Sequence, residues 1–279
     1  MSWANPKRLV VVPLVVAVFS ALVLAARGLP LGMDMEGGTR ITVRGLETSP
    51  NTSEIEKSLR EAWDTDKLRV TTTRNTLDNT FGLTIDTPLA LSYEQELRGM
   101  EILAGKLGFS SSEEMAYDKK HVGPIIGEEF KRQGVRAVVL AFIFVGIVVF
   151  IAFRHVIVSL AVMFCILLDL LVAAAAMSLS GVELGLPSIA ALLMVLGYSV
   201  DSNILLSSRL FRRRGGTPLE RIRDGMKTGL TMTGTTLFAL LVLFIVTTSD
   251  VLREIAAVLI FALLADVMNT WMLNAGIFL

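Results

Sequence analysis

Three carboxylates stand inside long apolar runs of this 279-residue chain: Asp169 in "ILLDLLVAAAA", Asp201 in "LLMVLGYSVDSNILLSSRL" and Asp266 in "IFALLADVMNTW". An acidic side chain near the middle of a bilayer costs about 2.5–3.5 kcal/mol on insertion scales, so it is expected to face a helix bundle or a water-filled path. The chemistry open to such a group is proton uptake and release; the plainer role is a protonated carboxyl that hydrogen-bonds a neighbouring helix. Asp201 has the most polar surroundings. Gly197 lies one turn before it on the same face and permits close helix approach. Ser199, Asn203 and Ser207 follow at four-residue spacing as a polar stripe beside it. In "KTGLTMTGTT", Thr228, Thr231 and Thr235 share a face, where their hydroxyls can bond a carboxyl, hold water, or bond their own backbone.

Other chemistries find little material. One cysteine, Cys165, and two histidines leave no disulfide framework and no expected metal site, and no cofactor motif is present. Gly37-Gly38 is followed by no GxxxxGK[ST] pattern and reads as a tight turn into a strand. A net charge of zero says nothing about nucleic acid by itself, and no basic tail suggests it. Two membrane carboxylates sharing a proton can activate water, as in intramembrane aspartyl proteases. That family's Gly-x-Gly-Asp and Tyr-Asp motifs are missing around Asp201 and Asp169.

These residues need long helices to carry them. A spanning helix takes about 20 apolar residues. Six stretches qualify or nearly so: about 9–26, 135–153, 156–180, 187–207, 228–248 and 254–279. The first is too long for a signal-peptide core and reads as an uncleaved anchor. Positive charges in short loops set orientation. Lys7 and Arg8, Arg154 and His155, and the loop 208–227 with Arg209, Arg212, Arg213, Arg214, Arg221, Arg223 and Lys227 fall on one side if there are six spans. That side is the cytoplasm, and both termini lie there. The basic loop can also be a site for the ribosome or anionic lipid, but reads first as a topology determinant with a short interfacial helix after Thr217-Pro218.

Residues 27–134 are then extracytoplasmic and read as a folded domain. "GTRITVRGL", "KLRVTTT" and "FGLTID" alternate as strands, with "RNTLDNT" as a turn between the last two. Ser53 with Glu56, and Ser92 with Gln95, have capping-box spacing ahead of helices. The order β-α-β-β-α, closed by a strand near 115–123, is that of a ferredoxin-like α+β sandwich with no catalytic constellation. The expected organisation is thus 1–26 as tail and first span, 27–134 as the extracytoplasmic domain, and 135–279 as the five remaining spans.

"GMDMEGGTRITV", "HVGPIIGEEFKRQG", "GYSVDSN" and "TMTGTT", in this order and topology, resemble the motifs of the SecF family, six-span partners of SecD in protein export. Asp34, Gly37 and Gly38 match the Asp-Phe-Thr-Gly-Gly opening of the family's extracytoplasmic domain, with Glu36 in place of the Thr. Val122, Gly123 and Pro124 match its Val-Gly-Pro-x-x-Gly motif. The resemblance implies one half of a resistance-nodulation-division (RND) transporter architecture in the plasma membrane, with Asp201 as the proton-linked residue of the fourth span. It implies a SecD-like subunit, with a homodimer as the alternative, and the Sec translocon channel, the translocating polypeptide and membrane lipid as partners. Bacterial relatives place an Arg early in the fifth span, where this chain has Thr228 beside Lys227; either Lys227 takes that role or the coupling works differently.

The expected function is therefore a non-enzymatic accessory subunit that uses the proton-motive force to promote protein translocation. A passive translocon assembly factor, or an RND-type proton-coupled exporter of small molecules, is the alternative. Such exporters usually carry two large loops over about twelve spans, against one loop and six spans here.

Overall fold

The structure is a computed structural model that describes residues 6–75, 80–109, 111, 115–211 and 215–279; the side chains of 6–8 and 75 are also left aside. The expected turn in "RNTLDNT" and the topology arginines Arg212, Arg213 and Arg214 lie largely or wholly outside the described residues, as do the side chains of Lys7 and Arg8. The chain divides into two compact units, one made of 1–30 with 133–279 and one of 31–132.

The smaller unit runs α2 (Met33–Glu36), β1 (Gly38–Leu46), α3 (Thr52–Trp63), β2 (Arg69–Asn75), β3 (Thr80–Thr87), α4 (Tyr93–Leu107) and β4 (Tyr117–Val122). The four strands form one antiparallel sheet in the order β2-β3-β1-β4. Alternation drives it: Ile41, Val43, Leu83 and Ile85 point one way and bury against Ile55, Leu59 and Trp63 of α3 and Met100 and Leu103 of α4. Trp63 donates its indole N–H to the Gln95 carbonyl at 2.8 Å. Its ring lies against Gly99, where a Cβ would come within 2.4 Å of Cζ2. Ser92 and Gln95 make the expected capping box of α4. The expected Ser53–Glu56 box does not form. The cap of α3 is Asn51, whose side chain accepts from the Glu54 N–H, so the helix starts two residues earlier. A side-chain amide at the N-cap leads the preference for that position, and it precedes Ser53 in the chain.

The larger unit holds α1 (Pro6–Arg27), α5 (Pro124–Phe153, which leaves the smaller unit), α6 (Val156–Ser180), α7 (Leu186–Phe211), α8 (Pro218–Val246) and α9 (Asp250–Met268), with a π-helical turn at Asn269–Asn274 and α10 (Ala275–Phe278). Among the described residues, five helices, α1 and α5–α8, are long and apolar enough to cross a membrane. The region expected as a sixth span is helical through α9, the π turn and α10, but is not among those five. Arg253, Glu254 and Asp266 dilute its apolar stretch. The short helix expected after Thr217-Pro218 is no separate element. Thr217 caps α8 with Glu220, Pro218 occupies its first turn, and the helix continues unbroken through Lys227 and Thr228. The middle of this unit is α6, α7 and α9. In their most apolar stretches α6 and α7 bury 44% and 50% of residues, whereas α5 and α8 bury 6% and 11%.

Candidate functional site: a buried carboxyl network and an exposed carboxylate

Two motif segments from opposite ends of the smaller unit come together. Gly38 pairs with Val122 in the β1–β4 register, and Lys120 donates to Asp34 at 2.7 Å. Gly37 has φ +80°, and a Cβ there would sit 2.8 Å from Cα of Pro124. Gly38 has φ +139°, with the Thr87 carbonyl only 2.3 Å from where its Cβ would be. Both glycines are thus needed for conformation and for space, which accounts for them as a turn into β1. Gly123 meets nothing within 4 Å of an added Cβ.

The three carboxylates expected within the membrane separate into two groups. Asp169 on α6 and Asp266 on α9 are buried, at 0% and 1% exposure. Ser199 Oγ donates to Asp169 Oδ2 at 2.5 Å, and Asn269 Nδ2 donates to Asp169 Oδ1 at 2.7 Å. Thr270 Oγ1 donates to Asp266 Oδ1 at 2.9 Å. Asn203 donates to the Ser199 carbonyl at 2.8 Å and accepts from Asn274 Nδ2 at 2.5 Å. The Cys165 thiol points to the Asn269 carbonyl at 3.8 Å. This network joins α6, α7 and the π turn. All of these side chains are buried.

Asp201 is elsewhere. It is exposed, on the outer face of α7 with Gly197 and Tyr198. The expected polar stripe beside it is a correction: Ser199, Asn203 and Ser207 are all buried, on the inner face. Residues two apart on an α-helix point roughly 160° away from one another, so a stripe at 199, 203 and 207 cannot share a face with 201. Asn203 therefore belongs with Asp169 and Asp266. Sequence reasoning missed Asn269, Thr270 and Asn274 as their partners, although a "NTWMLN" segment in an apolar run was a visible signal.

The α8 residues Lys227, Thr228, Thr231, Met232 and Thr235 line a shallow groove of about 420 Å³. Their hydroxyls take the modest option. Thr228 donates to the Asp224 carbonyl at 3.3 Å, Thr231 to Lys227 at 2.8 Å and Thr235 to Met232 at 2.8 Å. All three remain exposed, as does Lys227, and no ion pair between Lys227 and Asp201 occurs among the described residues.

Comparison with known proteins places this arrangement. The family "Protein export membrane protein SecD/SecF, C-terminal" matches residues 106–279. The protein-export membrane protein SecF of Pyrococcus furiosus is 38% identical over 279 residues, covering 98% of this chain and 90% of that protein. SecF of Methanocaldococcus jannaschii is 37% identical over 277 residues, covering 96% and 93%. The crystal structure of SecDF, a translocon-associated membrane protein from Thermus thermophilus, superposes with a TM-score of 0.78 at 24% identity and shares the fold. That match covers 98% of this chain but 37% of the solved one, so the chain spans little more than a third of that protein. With the family match over more than half its length and close relatives along nearly all of it, the chain belongs to the SecD/SecF family of protein-export membrane proteins.

Proposed function

We propose that the chain is a non-enzymatic, SecF-type subunit that works with a SecD-like subunit at the Sec channel and uses the proton-motive force, through Asp201, to promote translocation of exported polypeptides. The observation that carries this reading is the exposure of Asp201 within a helix long and apolar enough to cross a membrane. A carboxylate left facing lipid costs about 2.5–3.5 kcal/mol, so that face is expected to meet another protein surface. The neighbouring polar face of α8, with Lys227, Thr228, Thr231 and Thr235, is exposed in the same way. A second six-span half would cover both. The name SecDF of the solved neighbour, of which this chain matches 37%, supports SecD as the source of that half.

In this reading the helical run from Asp250 to Phe278 is the sixth span. Its 29 residues reach roughly 43 Å, enough for a hydrocarbon core of about 30 Å. Both termini are then cytoplasmic with the basic loop before α8, and residues 27–134 form a ferredoxin-like extracytoplasmic domain that holds or moves the translocating chain. The strand order β2-β3-β1-β4 with α3 and α4 as connections supports that assignment.

One charge crossing about 100 mV is worth about 2.3 kcal/mol, a bias of roughly fiftyfold on a two-state equilibrium. Asp201→Asn keeps size and hydrogen bonding but cannot titrate. The expected result is normal insertion with accumulation of unexported precursors, and cysteines placed at 194, 197 and 198 should crosslink to a different, SecD-like chain. Wild-type export by Asp201→Asn would leave a passive assembly role.

A further inference from the structure

The Asp169–Asp266 network is not used by the function proposed above, and its hydrogen bonds do not balance. Asp169 accepts from Ser199 and Asn269, and Asp266 accepts from Thr270 on Oδ1. Asp266 Oδ2, Asn269 Oδ1 and Asn274 Oδ1 are buried and meet no donor. Asn269 is fully buried, and its amide group reaches into the cluster through the bond to Asp169, so its bare oxygen belongs to the same site. Buried acceptors left bare are costly.

The two carboxyl groups belong to one buried cluster: Asn269, which donates to Asp169, and Thr270, which donates to Asp266, are consecutive residues of the π turn. Two carboxylates are both acceptors, so no bond forms between them unless one carries a proton. No cation compensates them among the described residues: neither Asp forms an ion pair. Cys165, buried with its thiol toward the Asn269 carbonyl, is the further titratable group at the cluster. Arg27 on α1, Arg209 on α7, and Arg253 and Glu254 on α9 sit toward helix ends, and Asp201 lies on the outer face of α7. Two like charges in one apolar cluster with no cation to offset them are strongly disfavoured, and one shared proton replaces their repulsion with a charge-assisted hydrogen bond.

The geometry points to a proton-binding site internal to this chain: Asp169 and Asp266 share one proton, held in place by Ser199, Thr270 and the π turn at Asn269–Asn274. The π turn has a defined part in this. Residues five apart on an α-helix point roughly 140° away from each other, whereas the wider i→i+5 turn lets Asn269 and Asn274 both face inward and both be fully buried. Protonation of the pair is thereby tied to the backbone of the last helical segment. The site is separate from Asp201 and does not depend on a partner chain.

Infrared spectroscopy of the full chain in lipid nanodiscs tests this. The Asp201→Asn protein is used first, so that the proposed partner-facing carboxyl cannot contribute. At near-neutral pH it should show the C=O stretch of a protonated carboxyl that shifts on transfer to D2O. Adding Asp169→Asn should remove the band, because the amide N–H replaces the shared proton and leaves Asp266 ionised; Asp266→Asn should do the same. Absence of the band from the Asp201→Asn protein overturns the proposal without any substitution in the pair, so a variant that fails to insert does not protect it. A band that survives both pair substitutions overturns it equally. Loss of the band on adding sodium ions at constant pH would assign the oxygens to a metal cation and overturn the proton assignment. Failure here leaves the export role of Asp201 untouched, because that role is read from precursor accumulation.

Discussion

Gly229 and Gly234 lie five residues apart on α8, yet a methyl group should have opposite consequences at the two positions. A Cβ on Gly229 would stand 2.2 Å from Cζ2 of Trp271, with Cε2 and Cη2 at 3.1 and 3.2 Å. Ordinary contact begins at 3.4 Å, so ring and helix would have to separate by about 1.2 Å at the nearest atom pair. Trp271 cannot swing aside. It is 3% exposed and packs with Leu206, Leu210, Ile222 and Ala275. Overpacking of this kind costs about 1–3 kcal/mol. At Gly234 an added Cβ meets nothing within 4 Å. Both substitutions gain the same helix propensity, about 1 kcal/mol at most, so the difference between them isolates the clash. Gly229→Ala should therefore unfold more easily than Gly234→Ala by about 1–3 kcal/mol, a factor of roughly 5–150 in the equilibrium constant. Titration of the purified proteins with sodium dodecyl sulfate, followed by tryptophan fluorescence, reads the two midpoints. Equal midpoints would refute the packing of α8 against the π turn on which this reasoning rests.

Three further outcomes follow from other contacts. Gly99→Ala should loosen the smaller unit, because its Cβ would meet the buried Trp63 ring at 2.4 Å, while Gly105→Ala, with nothing within 4 Å, should not; limited proteolysis of the full chain distinguishes them. Ser199→Ala removes one of two donors to Asp169 and should cost about 1–3 kcal/mol in the same detergent titration. Thr231→Ala, on an exposed hydroxyl bonded to its own helix, should stay within about 0.5 kcal/mol. Finally, the Lys106 ammonium that bonds Glu54 holds that carboxyl below its ordinary range. A depressed carboxyl contributes stability above its unfolded pKa and loses it as pH falls through the folded value. The α3–α4 contact should accordingly weaken only below about pH 4.3. The pair is exposed, so the effect is small, and Lys106→Met should abolish it in urea midpoints compared across that range.

Much of the local structure was legible from residue order. "GTRITVRGL" is β1 from first residue to last, and α6 begins and ends where the apolar run does, because a glycine turn on one side and Arg154-His155 on the other interrupt the pattern. Arg154 even takes a positive φ of 55° to make that break. Ser92 with Gln95 worked as a cap signal because its partners are three residues apart. Asn51 against Ser53 was a choice between two local options that only the path of the chain after β1 resolved.

The membrane carboxylates were visible in the sequence by type and depth, but their grouping was not. An amphipathic helix in water declares its inner face by its apolar residues. A helix such as α6, apolar nearly all round, does not, since lipid and protein interior are alike to a leucine. Hence the sequence alone could single out Asp169, Asp201 and Asp266 within apolar runs, yet could not say that Asp169 and Asp266 turn inward together while Asp201 turns out. The rotation of α7 about its own axis, and the π turn that brings Asn269 and Asn274 to the same side, decide that. Both are set by contacts between residues 30 to 100 positions apart, such as Ser199 with Asp169 and Asn269 with Asp169. No periodicity within one helix encodes such a contact, because it exists only after the helices have packed.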